Sequence, residues 1–340
     1  MKNRAADLIS TVHNDLSTDL VNKSYSSKIL EVARNLPMVS VISYECRLAQ
    51  DAQRVDIALC ANGRNDGLRL KEITIPNIVN NEEDNLALNA WRKVREFGEN
   101  WVSKKGFLEQ FVSSLWMNID IELDGNSITE PWIYVIFAHT QIPIDLKIAI
   151  VTKSLYLFQP NFPRNVIDQM VTQIHLLPKK AHLLGLGLQS ARQKETLRLV
   201  IYDLNLSEIT NFLKCSNWPG NHEDFYRQMV DFEPFAESLG FIFDVNEFSI
   251  TTLVGVEFYP ARGNHLQTIK NLLLLLVERG LCSKTKSNAI IEWVKISNKK
   301  REDNLQRWVS HLKLTYETGK NSKAKIYLFH QFDLTPDPSI

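Results

Sequence analysis

The stretch His311–His330, "HLKLTYETGKNSKAKIYLFH", reads as two short strands around a polar turn. Along the first, Lys313, Thr315 and Glu317 share one face and Leu312, Leu314 and Tyr316 the other. Along the return, Lys325 and Tyr327 oppose Ala324, Ile326 and Leu328. Side chains of a strand alternate with period two, so each strand has one apolar and one more polar face. What the lysines and the tyrosine face depends on whether this hairpin stands alone or belongs to a larger sheet.

Four other segments repeat the pattern. In "VSVISYECRLAQDAQRVDIALCA", from Val39, Ser43, Glu45 and Arg47 oppose Ile42, Tyr44, Cys46 and Leu48, and after the turn Arg54 and Asp56 oppose Val55, Ile57 and Leu59. In "LWMNIDIELDGNSITEPWIYVIFAH", from Leu115, Asn118, Asp120 and Glu122 oppose Met117, Ile119, Ile121 and Leu123. Asp124-Gly125 is a hairpin-turn signal there, and Trp132, Tyr134 and Ile136 oppose Ile133, Val135 and Phe137 on the return. In "HLLGLGLQSARQKETLRLVIYDL", from His182, Arg198, Val200 and Tyr202 oppose Leu197, Leu199 and Ile201. In "GFIFDVNEFSITTLVGVEFYP", from Gly240, Glu257 and Tyr259 oppose Val256 and Phe258.

The hairpins lie near 39–61, 115–139, 182–204, 240–260 and 311–330. Their starts are roughly 60 to 75 residues apart, a spacing that calls for a repeat. The segments between them have apolar residues at helical spacing: 8–36, 85–114, 163–177, 206–239 and 265–296. Breaks at Pro219-Gly220 and at Gly280 split the last two into helix pairs. "NHEDF" at Asn221 reads as a helix start with an acidic first turn.

The unit is therefore helix-helix-strand-strand, five times over: an α+β chain whose strands form a ten-stranded antiparallel barrel without free edges. Helices cover the apolar outer faces and the polar faces line a lumen. The same alternation also fits half-exposed antiparallel sheets covered on one side; the five-fold count favours the barrel. No Pro/Ser-rich linker divides the chain, so residues 1–340 are expected to form a single domain.

Composition excludes several classes. Lys+Arg and Asp+Glu are 39 each, so the net charge is zero and nucleic acid is not the expected partner. The four cysteines, Cys46, Cys60, Cys215 and Cys282, form no CxxC pair and no zinc spacing. Scattered thiols suggest a reducing compartment. "MKNRAADLIS" lacks a signal-peptide core and the apolar run Leu272 to Val277 is far too short to span a bilayer, so a cytoplasmic chain with no membrane partner is expected. No GxxxxGK[ST] loop, HExxH or GxSxG elbow is present, and "GLGLQS" at Gly185 lacks the third glycine of a dinucleotide site.

The five hairpins resemble the ABBA, or PT-barrel, prenyltransferases, in particular the peptide prenyltransferases of cyanobactin-type pathways. The resemblance covers most of the chain as architecture. Its local strings are "YECRL", with a glutamate where the family keeps a catalytic acid, and "TLRLVIYD" and "AKIYL", similar to strands that hold diphosphate. It implies transfer of an isoprenoid from an allylic diphosphate to a peptide or small aromatic acceptor in natural-product (RiPP) biosynthesis. The alternatives are peptide modification of a different chemistry through lumenal carboxylates, or a non-catalytic precursor-peptide binding protein.

That chemistry assigns expectations to residues. Arg54, Arg198, Lys313 and Lys325 supply cations for the diphosphate, joined by the hydroxyls of Tyr202, Tyr259 and Tyr327. Trp132 and Tyr134 provide aromatic walls for an allyl cation and the acceptor. Glu45 is the general base, or else one half of a structural ion pair with Arg47 or Arg54. Asp120 and Glu122, two apart on one strand, could hold Mg²⁺ with the diphosphate, although solvated strands often have that spacing.

Overall fold

The alternating strands close on themselves, so helices can cover the apolar faces while the polar faces line a lumen. The computed structural model describes residues 4–73, 82–103, 107–124, 130–138, 142–188, 196–261, 265–297 and 305–332. Its strands are β1 (Val41–Arg47), β2 (Val55–Asn62), β3 (Val112–Ile119), β4 (Pro131–Phe137) and β5 (His182–Leu188), followed by β6 (Leu197–Tyr202), β7 (Ala236–Val245), β8 (Ile250–Pro260), β9 (Leu305–Tyr316) and β10 (Lys323–Phe332). Each pairs antiparallel with its neighbours in sequence, and β1 pairs with β10 to close a ten-stranded barrel. The closing register sets Glu45 opposite Tyr327 and Arg47 opposite Lys325.

Two helices precede each hairpin: α1 (Ala5–His13) and α2 (Lys23–Ala33), α3 (Gly63–Arg69) and α4 (Glu82–Trp101), α5 (Ile144–Phe158) and α6 (Arg164–Leu176), α7 (Leu206–Cys215) and α8 (His222–Met229), α9 (His265–Glu278) and α10 (Lys284–Ser297). Their apolar stripes meet the outward strand faces in one continuous layer that runs from Ala5 to Leu328. Trp101, Phe97, Phe158, Phe241, Phe243 and Trp293 are almost wholly buried in it. Each such side chain contributes about 1.5–3 kcal/mol through removal from water. The helix start read at "NHEDF" is a cap in the structure: the Asn221 side chain accepts from Asp224 N at 3.0 Å.

Some boundaries differ from the sequence expectation. The helix read across 85–114 stops at Trp101, and Val112 and Ser114 already pair with Phe137 and Ile136. The helix read through 206–239 gives way at Ala236 to β7, and β9 starts at Leu305 rather than near His311. Helices α3 and α5 were not anticipated. The first, GRNDGLR, has poor intrinsic propensity and is fixed by tertiary bonds, with Asp66 Oδ2 accepting from Ser40 N (2.8 Å), Ser40 Oγ (2.5 Å) and Asn62 N (3.0 Å). The second, IDLKIAIVTKSLYLF, is apolar on most sides, which blurs a one-face period. Of the Asp124-Gly125 turn signal, Gly125 lies outside the described residues.

Candidate active site in the barrel lumen

The lumen contains two adjoining cavities. At the end where the hairpins turn, Glu45, Arg47, Asp56, Asp120, Asp244, Arg198, Lys313 and Lys325 line a polar cavity of about 220 Å³. Deeper in, Trp116, Tyr134, Tyr202, Tyr259, Tyr327, His311 and Phe329 line an aromatic chamber of about 290 Å³. Asn118, Tyr134, Ile242, Lys313 and Tyr327 belong to both walls and mark where the two meet.

Glu45 lines the polar cavity and reaches that junction through Tyr327. Its Oε1 accepts from Lys325 Nζ and its Oε2 from the Tyr327 hydroxyl at 2.7 Å. Burial alone would push its carboxyl up, but Lys325, Tyr327 and Lys313 together hold it down at about 2. The residue is therefore an ionised carboxylate at neutral pH. Glu257 on β8 is a second buried carboxylate, also held at about 2 against the pull of burial, by His311, Lys313 and Tyr259. Tyr259 donates to its Oε2 at 2.7 Å. Lys313 Nζ stands 3.8 Å and His311 Nε2 3.5 Å from its Oε1, distances of charge contact rather than hydrogen bonding. Burial lowers the Lys313 ammonium to about 8, against the support of Glu257.

Arg198 is more fully engaged than the sequence suggested. It grips Asp244 with two parallel bonds, Nε to Oδ1 at 2.6 Å and Nη2 to Oδ2 at 2.9 Å. Its Nη1 donates to Tyr134 Oη at 3.0 Å, and the guanidinium lies 4.6 Å over the Trp132 ring. Trp132 and Tyr134 thus share a wall, as expected, but a protein cation already occupies the face of Trp132. Tyr202 meets Tyr259 edge-on at 5.0 Å in the aromatic chamber, and Tyr327 stacks on His311 at 4.0 Å. Tyr202 and Tyr259 stand with the aromatic side chains of the deeper chamber, whereas Tyr327 reaches both cavities.

Glycine makes room for this layer. A Cβ on Gly187 would stand 2.8 Å from Tyr134 Cε1 and 2.9 Å from Arg198 Cβ, and one on Gly240 would stand 2.8 Å from Tyr202 Cε1. The glycines of "HLLGLGL" are therefore lumenal spaces for neighbouring side chains, not a nucleotide loop.

Three of the predicted site residues sit at the rim rather than within the polar cavity's wall of cations. Arg54 precedes β2 and is held at the rim by Asp56 Oδ1 (2.9 Å) and Asp120 Oδ2 (3.0 Å), and Arg47 lines the polar cavity in its place. Asp120 and Glu122 lie just past β3, which ends at Ile119; Asp120 is paired with Arg54 and Glu122 is exposed. Among the described residues no three His, Cys, Asp or Glu side chains are grouped to hold a metal ion. The sequence reading did not single out Asp244 or His311. Asp244 had a signal, since it is the one acid in the apolar run "FIFDV", in phase with Gly240 and Ile242.

No protein-family model and no curated protein matches the sequence. Solved structures do. The prenyltransferase PriB, in complex with L-tryptophan and dimethylallyl thiolodiphosphate, matches with a TM-score of 0.56 at 12% identity over 96% of each chain. AnaPT from Neosartorya fischeri matches with a TM-score of 0.52 at 12% identity, over 87% of this chain and 79% of that one. The 5-dimethylallyltryptophan synthase of Streptomyces coelicolor matches with a TM-score of 0.50 at 12% identity over 95% of each chain. At this identity the likeness is one of fold, and with the closed ten-stranded order it shows that the chain has the ABBA, or PT-barrel, fold.

Proposed function

We propose that the protein is a transferase that moves an isoprenoid from an allylic diphosphate to an aromatic acceptor inside the barrel. The observation that carries this is the junction of a cation-bearing polar cavity with an aromatic chamber, at Lys313 and Tyr327. In the proposed reaction the allylic C–O bond breaks and the diphosphate leaves with the electron pair. Lys313, Lys325 and Arg198, with the Tyr327 hydroxyl, meet the charge that develops on it. Tyr134, Tyr202, Tyr259 and Tyr327 surround the allyl cation and keep water from it. The acceptor forms the new bond to carbon and loses a proton to the ionised Glu45. No step is assigned to magnesium.

The finer reading is a peptide acceptor in a ribosomal natural-product pathway. It draws on the sequence resemblance and on apolar side chains at the turn end of the barrel. Leu123, Phe248 and Leu253 are 42%, 78% and 39% exposed, and Leu253 lines the polar cavity. Four free cysteines, three of them buried, fit a cytoplasmic setting. Among the described residues no helix is long and apolar enough to cross a membrane.

A second reading, a barrel that modifies or binds peptide without a diphosphate, is favoured by the acids that accompany the lumenal cations, as in Arg198–Asp244 and Lys325–Glu45. One assay separates the two. Dimethylallyl, geranyl and farnesyl diphosphates are each incubated with tryptophan, tyrosine or an aromatic-containing peptide, and products are weighed by mass spectrometry. A product one isoprenoid heavier is expected. Absence of product with every donor, together with pyrophosphate binding that is nil or unchanged in Lys313→Met and Lys325→Met, would overturn prenyl transfer.

A further inference from the structure

Four basic side chains and four acidic ones line the polar cavity, and Arg54 at its rim pairs with two of the acids, so most of its positive charge is already matched before any ligand arrives. A diphosphate carries two or more negative charges into a space where salt screens little and like charges repel strongly. Its entry is eased by any further positive charge taken up from solution. The acids of the cavity are the places where that charge can be taken up.

Asp56 on β2 is the acid best placed to accept it. Only 3% of the residue is exposed. Its Oδ1 accepts from Arg54 Nε at 2.9 Å and from Ile121 N at 3.0 Å, but its Oδ2 has no hydrogen-bond partner. Arg47 on β1 stands 3.6 Å from that oxygen, in charge contact only. Two carboxylates flank it: Glu45, its register partner on β1, which Lys325 of β10 already holds, and Asp120 just past β3. Burial first, then Glu45 and Asp120, push the Asp56 carboxyl up from its ordinary value, against Arg54. Glu45, by contrast, is held at about 2. Two neighbouring carboxyls with environments that push them apart have separate proton duties. Glu45 stays ionised for the acceptor, and Asp56 is the one a new anion would protonate.

We infer that a diphosphate enters this lumen together with a proton, and that Asp56 takes that proton on its unpartnered Oδ2. The inference rests on the proposed function, because it concerns the donor of that reaction. It makes Asp56 a positioning residue for the charge of the site: donor binding strengthens as pH falls, by up to about tenfold per pH unit for one proton taken up.

The test uses pyrophosphate as probe and titration calorimetry between pH 6 and pH 8, with and without Mg²⁺, on the wild type and Asp56→Asn. The probe's own protonation is common to both proteins, so the difference between their pH slopes reports Asp56. The wild type is expected to show the steeper slope, and Asp56→Asn to bind more tightly than wild type at pH 8. Equal slopes overturn the inference while leaving the proposed function standing. No pyrophosphate binding in the wild type at any pH, with or without Mg²⁺, overturns both. Should Asp56→Asn fail to fold, difference infrared spectra of the wild type decide: a protonated carboxyl C=O stretch must appear on adding pyrophosphate, and its absence refutes the proton uptake.

Discussion

Lys325 donates to Glu45 across the seam where the last strand of the chain meets the first, 280 residues apart in sequence. The contact lies inside the barrel, so it joins the closure of the fold to the centre of the candidate site. Lys325→Met leaves Glu45 with a buried charge and one fewer donor. A hydrogen bond to a charged group is worth about 1.5–3 kcal/mol, and Lys325 is partly solvated, so a loss near the lower end is expected. Urea unfolding measures it, and a midpoint equal to that of the wild type would count against a stabilising seam.

Acid should loosen the same region. Glu45 and Glu257 are both held at about 2, below their ordinary 4.5. A carboxylate depressed by folding stabilises the fold above its unfolded pKa, and that contribution is lost as pH falls. The loss is expected between about pH 4.5 and about pH 2. Tryptophan fluorescence followed during acid titration checks it. Glu45→Gln and Glu257→Gln should start less stable and fall less steeply, and curves parallel to the wild type would refute the assignment.

The sequence made the barrel legible because alternation records which face of each strand meets grease and which meets polar groups. Glu45, Lys313, Lys325 and Tyr327 could be placed in the lumen for that reason alone, and the structure does bring them together. What alternation cannot carry is who holds whom. Arg198 looked like a free cation until β7 delivered Asp244 opposite it, and Arg54 looked lumenal although it precedes its strand and is drawn to Asp120 at the rim. Helix α3 was illegible because its stability comes from Asp66 bonding to Ser40 and Asn62, not from its own composition.

Lys313 supplies a prediction of the opposite sign to the glutamates. Burial lowers its ammonium to about 8 from an ordinary 10.5, so the fold binds that proton less tightly than the unfolded chain does. Its contribution to stability should rise as pH is raised from about 8 to about 10.5, while pyrophosphate binding, which needs the charge, weakens above about 8. Lys313→Met should weaken pyrophosphate about tenfold or more, in line with one charge-assisted bond. Calorimetry at pH 7 and pH 9 tests both statements, and a pH-independent affinity would sink the second.

Two lumenal glycines should respond differently to alanine. At Gly187 the new Cβ meets Tyr134 Cε1 at 2.8 Å and Arg198 Cβ at 2.9 Å, so packed groups must move and a loss of about 1–3 kcal/mol is expected. At Gly255 the nearest atom is Lys313 Cε at 3.1 Å, on a flexible side chain that can shift. Gly255→Ala should therefore keep its melting temperature yet bind pyrophosphate less well, because the ammonium is displaced. Thermal melts and calorimetry on the pair separate the two, and a matched loss of stability in both variants would contradict the distinction.

Outside the barrel, Lys286 of α10 should act as a clamp on the first hairpin. Its Nζ donates to Arg47 O at 2.8 Å, to Ala49 O at 2.9 Å and to Ala52 O, and the residue is only 8% exposed. One ammonium thus satisfies three carbonyls of the turn that carries Arg47 and leads into Arg54. Lys286→Met would leave those carbonyls buried without a donor, at a cost of about 1–3 kcal/mol for each that water cannot reach. Lys286→Arg should not restore them, since a planar fork cannot converge three donors on one point as an ammonium does. Hydrogen exchange gives the local readout. In Lys286→Met the amides of Leu48 to Ala52 should exchange faster, while the turn between β9 and β10, which Lys286 does not touch, keeps its wild-type rate. If both turns change alike, Lys286 merely contributes to global stability; if neither changes, the three carbonyls hold the turn without it.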